Sequence, residues 1–176
     1  MSLSTVLGPA VIGLAAAAGA YALWTRRSRT YHSSESVASA YDAWTEDRLL
    51  ETLWGEHVHL GHYGDPPKRR DFRRAKADFV HELVHWSGLD RLPPGSRVLD
   101  VGCGIGGSAR ILAKDYGFNV LGISISPAQI QRATDLTPDN LSCRFEVMDA
   151  LNLNLADAEF DGVWSCLLYT SPSPRD

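Results

Sequence analysis

The apolar positions of this chain change their period several times, and each change marks a boundary. Val6 to Trp24 is one uncharged run, long enough to cross a bilayer. Arg26, Arg27 and Arg29 follow it at once, with Tyr21 and Trp24 placed as interfacial aromatics. From Ser33 to Leu50 the residues Val37, Ala40, Tyr41, Trp44 and Leu49 return at three-to-four spacing, which predicts a helix. "LWGEHVHLGHYGDPP" follows, and its Gly55, Gly61, Gly64, Pro66 and Pro67 predict a structured loop. A second helix is expected from Asp71 to Trp86, with Asp71 as N-cap and Gly88 as terminator. Phe72, Phe79, Leu83 and Trp86 form its expected apolar face. Beyond the linker "DRLPPGS", strands and helices alternate. "RVLDV", "NVLGISI", "CRFEVMDA" and "FDGVWS" read as strands. "SARILAKDYG" and "SPAQIQRATDL" read as helices, the second with Ser126 as N-cap and Pro127 in its first turn. Such alternation predicts a parallel sheet of the α/β class.

The segments divide as residues 1–30, a membrane anchor or targeting leader; 31–90, a helical cap; 91–165, a glycine-loop domain; and 166–176, a tail. The basic side follows the apolar run, so the positive-inside rule puts the domain on the cytoplasmic or stromal side. A secretory signal would want positive charge before the run, and there is none. No acidic residue precedes Glu35, and the stretch is rich in Ser, Thr and Arg, which also fits an organelle leader. With 176 residues and a formal net charge of -4, the chain suits one domain of modest core and gives no reason to expect nucleic acid as partner. Cys103, Cys143 and Cys166 lack CxxC spacing, against a disulfide framework or a zinc knuckle.

The sharpest chemical signal is "VLDVGCGIGG", Val98 to Gly107. A glycine turn after a first strand brings backbone N–H groups and a helix N-terminus close to a ligand. Gly102, Gly104 and Gly107 spell the dinucleotide fingerprint GxGxxG. That fingerprint wants an acidic residue at the end of the next strand, where this chain has Ser124. The other spelling is Asp100-x-Gly102-x-Gly104-x-Gly106, with Cys103 inside the turn.

This second spelling resembles the class I S-adenosylmethionine (SAM) methyltransferases. "VASAYDAWTEDRLLETLWGEHVHLGHYG", "DFVHELVHWSG" and "GISISPAQIQRAT" narrow the resemblance to gamma-tocopherol methyltransferases and their relatives, from about Val37 to Ser165. The resemblance implies an incomplete Rossmann-like sheet of four strands, preceded by the N-terminal helices and a membrane-spanning one. It implies SAM as cofactor, with Asp100 facing its ammonium and ribose end. Ser124 and Gln129 would contact the ribose, and Asp149, with Ala150 beside it, the adenine amino group. The implied acceptor is a small lipophilic one, a prenylated chromanol or quinol ring, with sterols and other small molecules as alternatives. The membrane run would suit such an acceptor, whose tail partitions into the bilayer. Arg48 departs from the pattern, which leads one to expect glycine there.

Two histidine groupings compete with this account. "HELVH", His81 to His85, is the zinc signature of metalloproteases. A zincin needs a further ligand downstream, and no His follows His85, so no metal is expected. His57, His59 and His62 lie in the loop with Trp54 and Tyr63. They could bind metal, could cap a lid, or one of them could take a phenol proton during methyl transfer, since an imidazole titrates near ~6.5. A SAM-binding paralogue without catalysis is a further alternative. The last stretch, "CLLYTSPSPRD", breaks the pattern and resembles a translated sequencing adapter. The chain is therefore expected to hold half a sheet, an incomplete acceptor pocket and little activity, with "GVWS" an unpaired apolar edge.

Overall fold

The computed structural model describes residues 33–166. The Val6–Trp24 run, the Arg cluster behind it and the tail from Leu167 lie outside the described residues. Among the described residues no helix is long and apolar enough to cross a membrane.

Helix α1 spans Ser34–Glu46, with Ser33 as N-cap in a capping box with Ser36. Helix α2 spans Leu49–Trp54. The sequence predicted one helix here, and the chain instead breaks at Asp47–Arg48. Arg48 is left-handed, with φ 52°, and the Asp47 carboxylate accepts from Leu49 N at 2.8 Å to start the new helix. Glycine reaches that conformation without the Cβ penalty of about 1–2 kcal/mol, so arginine sits here against its own backbone preference.

Helix α3 spans Phe72–Ser87, with the Asp71 carboxylate accepting from Arg74 N and Gly88 as C-cap. The bounds are as expected, but the buried face is not. Ala75, Lys76, Val80 and Val84 are buried, whereas Trp86 is 82% exposed and Phe72 is 40% exposed. A Cβ added at Gly61 would lie 2.7 Å from the Ala75 Cβ, so the loop backbone packs directly on the helix at Ala75, while of the expected face Phe79 is half-buried against the His59 ring and Leu83 packs on the core.

The domain behind it follows the expected alternation. Strand β1 is Arg97–Val101, helix α4 Gly107–Tyr116, strand β2 Asn119–Ser124, helix α5 Pro127–Asp135, strand β3 Cys143–Val147 and strand β4 Gly162–Trp164. The strands form one parallel sheet in the order β3-β2-β1-β4. Side chains alternate between its faces, as the pleat requires. Val98 and Val120 join Val80, Val84, Ala109, Leu112, Phe118 and Trp164 in one core. Leu99, Leu121 and Ile123 form the other, with Val101, Met148, Leu155 and Phe160 against it. Residues buried on both faces make β2 almost continuously apolar, the signature of a parallel strand. Strand β4 is the described edge next to β1, and its Val163 is 67% exposed.

Candidate functional site

The site lies where β1 and β2 end and the glycine turn begins. Gly102 N and Cys103 N both donate to Ile123 O, at 2.9 and 3.0 Å, which folds the turn back over the neighbouring strand. Gly106 N donates to Cys103 O at 3.0 Å, and Gly106 opens α4 with no side-chain cap. Two glycines are required here for different reasons. Gly106 has φ 80°, and a Cβ on it would come within 2.7 Å of Phe145 and 2.8 Å of Arg110. Gly104 has φ 55°, and a Cβ on it would meet nothing within 4 Å. The first glycine is demanded by the fold. The second faces open space.

Asp100 sits under this turn, 2% exposed, and its Oδ2 has no hydrogen-bond partner among the described residues. Burial without a partner disfavours the carboxylate and pushes its pKa from 3.8 up to about 7. An unpaired, buried, proton-accepting group beneath a glycine turn suits a cationic or hydroxyl-bearing partner. Trp164 stands opposite Asp100 in the register of β1 and β4, and its Nε1 is also buried and unpartnered. Cys103 is buried, its thiol pKa pushed well up by desolvation, so it is a neutral wall of the turn and no nucleophile.

Ser124, at the end of β2, donates its hydroxyl to Gln129 Oε1 at 2.8 Å and accepts from Ser126 N at 3.2 Å. The two expected ribose contacts are thus joined to each other. Asp149 follows β3, and its carboxylate accepts from Leu151 N at 2.9 Å, with Ala150 half-buried beside it. All of these lie at or just beyond the carboxyl ends of neighbouring parallel strands, the end of the sheet where ligands bind in such folds.

The N-terminal helices are tied to this domain by three polar links that the sequence did not reveal. Asp42 of α1 accepts from Ser126 Oγ at 2.5 Å and from Ala128 N at 3.1 Å. Glu51 of α2 forms a two-pronged pair with Arg132, at 2.8 and 2.5 Å, and this guanidinium holds the Glu51 carboxyl below its usual range. Glu56 accepts from Arg110 Nη2 at 2.5 Å, while Arg110 Nη1 donates to Ile105 O within the glycine turn at 2.8 Å. Arg110, a lone charge in the buried part of "SARILAKDY", was the one visible hint of this link.

The histidine loop closes over the start of α4. A Cβ at Gly107 would meet His57 Cε1 and Nδ1 at 2.9 Å and Glu56 O at 2.6 Å. His59 Nδ1 lies 2.7 Å from Leu60 O, and His59 Nε2 lies 3.1 Å from His57 Nδ1. A carbonyl only accepts, so His59 carries its proton on Nδ1. Neutral His59 then accepts at Nε2 from His57 Nδ1–H, which leaves the lone pair of the pair on His57 Nε2. Burial pulls the His57 pKa from 6.5 down to about 4 and lowers that of His59 as well. The expectation of an ordinary imidazole base near ~6.5 is corrected here: buried His57 is a much weaker base. His62 stands outside the pair, held by its backbone N, which donates to Ala75 O at 2.7 Å. The "HELVH" imidazoles point elsewhere. His81 Nδ1 is 2.8 Å from Tyr116 Oη, and His85 Nδ1 is 2.9 Å from Asp90. Among the described residues no three His, Cys, Asp or Glu side chains are grouped to hold a metal ion.

Residues 98–176 match the family described as a methyltransferase domain. The cyclase SpnF has the same fold over 75% of this chain and 48% of its own, with TM-score 0.66 and 29% identity. A putative sarcosine dimethylglycine methyltransferase from Galdieria sulphuraria matches with TM-score 0.56 and 25% identity over 71% of this chain and 48% of its own. The fold is that of a class I methyltransferase domain. Its kinship is narrower. The 2-methyl-6-phytyl-1,4-hydroquinone methyltransferase of Synechocystis sp. is 62% identical over 154 residues, 88% of this chain. The tocopherol O-methyltransferase of Arabidopsis thaliana, which is chloroplastic, is 37% identical over 128 residues, 66% of this chain. Over the aligned stretch this is a methyltransferase sequence of the tocopherol type. The chain spans 48% of the Synechocystis relative and 36% of the Arabidopsis one.

Proposed function

We propose that the protein transfers a methyl group from SAM to the ring of a prenylated quinol or chromanol. The observation that carries this reading is the 62% identity to the Synechocystis hydroquinone methyltransferase. The orphaned Asp100 carboxylate and the open space over Gly104 fit the cofactor: a cationic methionyl end for the one, a flat ligand edge for the other.

In this proposal Gly102, Cys103, Gly104 and Gly106 cradle the methionyl-ribosyl unit. Asp100 meets its ammonium and ribose end, Ser124 and Gln129 exchange their mutual bond for the ribose hydroxyls, and Asp149 with Ala150 faces the adenine. SAM, when bound, supplies an already activated methyl group. The chain's own residues supply alignment and exclusion of water. Residues 31–90 act as a cap, latched by Asp42, Glu51 and Glu56, and residues 91–165 as the cofactor domain. His57, its lone pair on Nε2 and its pKa near 4, serves to accept a hydrogen bond from the ring hydroxyl and orient it, and the proton that methyl transfer releases passes on to His62 or to solvent. His59 fixes the tautomer of His57, and His62 remains the alternative base. Residues 1–30 act as a membrane anchor, or as a leader for a plastid like that of the chloroplastic plant relatives.

Because the chain spans 48% of its Synechocystis relative, transfer of labelled methyl from SAM to a panel of phytylated quinols, tocopherols and sterols is measured on a form extended to full length. Labelling of the quinol or tocopherol in preference to the sterol is expected. SAM binding without labelling of any acceptor would instead mark a non-catalytic paralogue.

A further inference from the structure

We propose that residues 53–74 form a docking face for an anionic lipid surface, distinct from the apolar run at the N-terminus and independent of the methyl-transfer reading. Two observations meet on this face. The first is apolar exposure. Leu53 is 56% exposed, Trp54 50%, Val58 55%, Leu60 83%, Tyr63 38% and Phe72 40%. They are not scattered. Leu53, Trp54, Leu60, Tyr63 and Phe72 line one open cavity of about 440 Å³ whose floor is His59, Gly61 and Lys76. In the loop the side chains alternate: His57 and His59 turn inward and bond to each other, and Val58 and Leu60 turn out. The inward histidines thereby present two aliphatic side chains at the tip.

The second observation is charge. "KRRDFRR", Lys68 to Arg74, holds five cations against one carboxylate, a net of +4 in a chain whose formal net charge is -4. The one carboxylate is spent on capping α3. The two features are physically joined. Lys68 N donates to Tyr63 O at 2.9 Å, the Arg73 guanidinium lies over the Phe72 ring at 5.6 Å and donates to Thr52 O, and the Lys76 ammonium lies within 5.3 Å of both the Trp54 and Phe72 rings. Lys76 is itself buried and donates to Trp54 O and His57 O, so it fixes the cavity floor rather than meeting a partner. Arg70 is paired with Asp78, which leaves Lys68, Arg69, Arg73 and Arg74 as the exposed, unpaired cations of this run, with Arg73 packed against Phe72.

Exposed aliphatic and aromatic side chains adjoining a basic run match an anionic bilayer surface, where rings sit at headgroup depth and cations meet phosphates. A second copy of the chain fits worse, because a two-fold interface would set this positive run against itself. Each cation near such a surface contributes about a fivefold gain in partitioning.

The full chain would be mixed with vesicles of phosphatidylcholine alone and with added phosphatidylglycerol, and read by amide hydrogen exchange and co-sedimentation. Exchange localises the contact, so attachment through residues 1–30 does not confound it. Slowed exchange over 53–63 with the anionic vesicles is expected, and much less with the neutral ones. The triple reversal Lys68→Glu, Arg69→Glu, Arg74→Glu is expected to abolish that protection and to cut partitioning by more than about a hundredfold. Val58→Ser with Leu60→Ser is expected to weaken binding while SAM affinity, a check on folding, stays unchanged. Unaltered exchange over 53–63 on adding anionic vesicles overturns the proposal. So does protection of 53–63 already present without lipid, which would mean that another part of the chain or a second copy covers the face.

Discussion

Replacing Asp100 by Asn separates what the buried carboxyl does for the fold from what it does for the ligand. Asp100 is fully enclosed, and burial alone holds its pKa near 7 instead of 3.8. That displacement corresponds to about 4 kcal/mol of penalty on the charged form. The sign follows from the raised folded-state value. The penalty is absent at low pH, where the group is neutral in both states, and grows as pH rises from the unfolded value through the folded one. Asp100→Asn removes the charge with little change of shape. The cofactor-free variant should therefore be more stable than the natural protein at about pH 8, by about 2 kcal/mol or more, and gain little at about pH 4. Cofactor affinity should move the other way. A cationic ligand favours the ionised carboxylate, so binding to the natural protein expels a proton wherever Asp100 is still protonated. Affinity should fall about tenfold from about pH 8 to about pH 6, and the Asn variant should bind weakly without that dependence. Titration of the ligand's own groups is common to both proteins and cancels between them. Urea unfolding and calorimetric SAM titration at the two pH values supply the readings. Parallel pH profiles of affinity in both proteins would refute the reasoning, because Asp100 would then not face the cationic end of the cofactor.

Three other outcomes are expected. Arg48→Gly should raise stability by about 1 kcal/mol, read by urea unfolding, since it relieves a left-handed arginine between α1 and α2 without removing a buried contact. Gly106→Ala should lose both stability and SAM binding, because its Cβ meets Phe145 and Arg110 under 3 Å in a left-handed backbone; intact thermal stability in that variant would contradict the turn geometry. Glu51→Gln should weaken the latch on Arg132 and cost stability by about 1 kcal/mol, with the loss shrinking in high salt, as thermal unfolding at two ionic strengths would show.

The sheet, the glycine turn and the helices after β1 and β2 were legible because parallel strands and capped helices leave local marks. "RVLDV" and "NVLGIS" are apolar on both faces, and Ser126-Pro127 starts a helix in the predicted place. The face of α3 was not legible. Periodicity favours the largest apolar residues, whereas the close approach of the loop at Gly61 puts Ala75 at the contact, a tertiary constraint with no local trace. The break at Arg48 escaped for a related reason: the helical spacing runs straight through it, and only the departure from glycine at that position hinted at a turn. The cap-to-domain links at Asp42, Glu51 and Glu56 join residues dozens of positions apart, so no spacing rule could find them. The histidines were visible as a group, but their burial, and with it the fall of His57 to about 4, depends on the packing of the loop against α4.

The most direct test of the glycine turn as cofactor site is a change that the fold tolerates and the ligand cannot. Gly104 is that position: its backbone is mildly left-handed, with φ 55°, and the space beyond it is open to 4 Å. Calorimetric titration of SAM into Gly104→Ala and Gly104→Val, beside the natural protein, measures the effect. The account predicts folded variants that lose at most about 1–2 kcal/mol of stability and a SAM affinity that falls at least tenfold, further for Val than for Ala. Folded variants that bind SAM as tightly as the natural protein would contradict it.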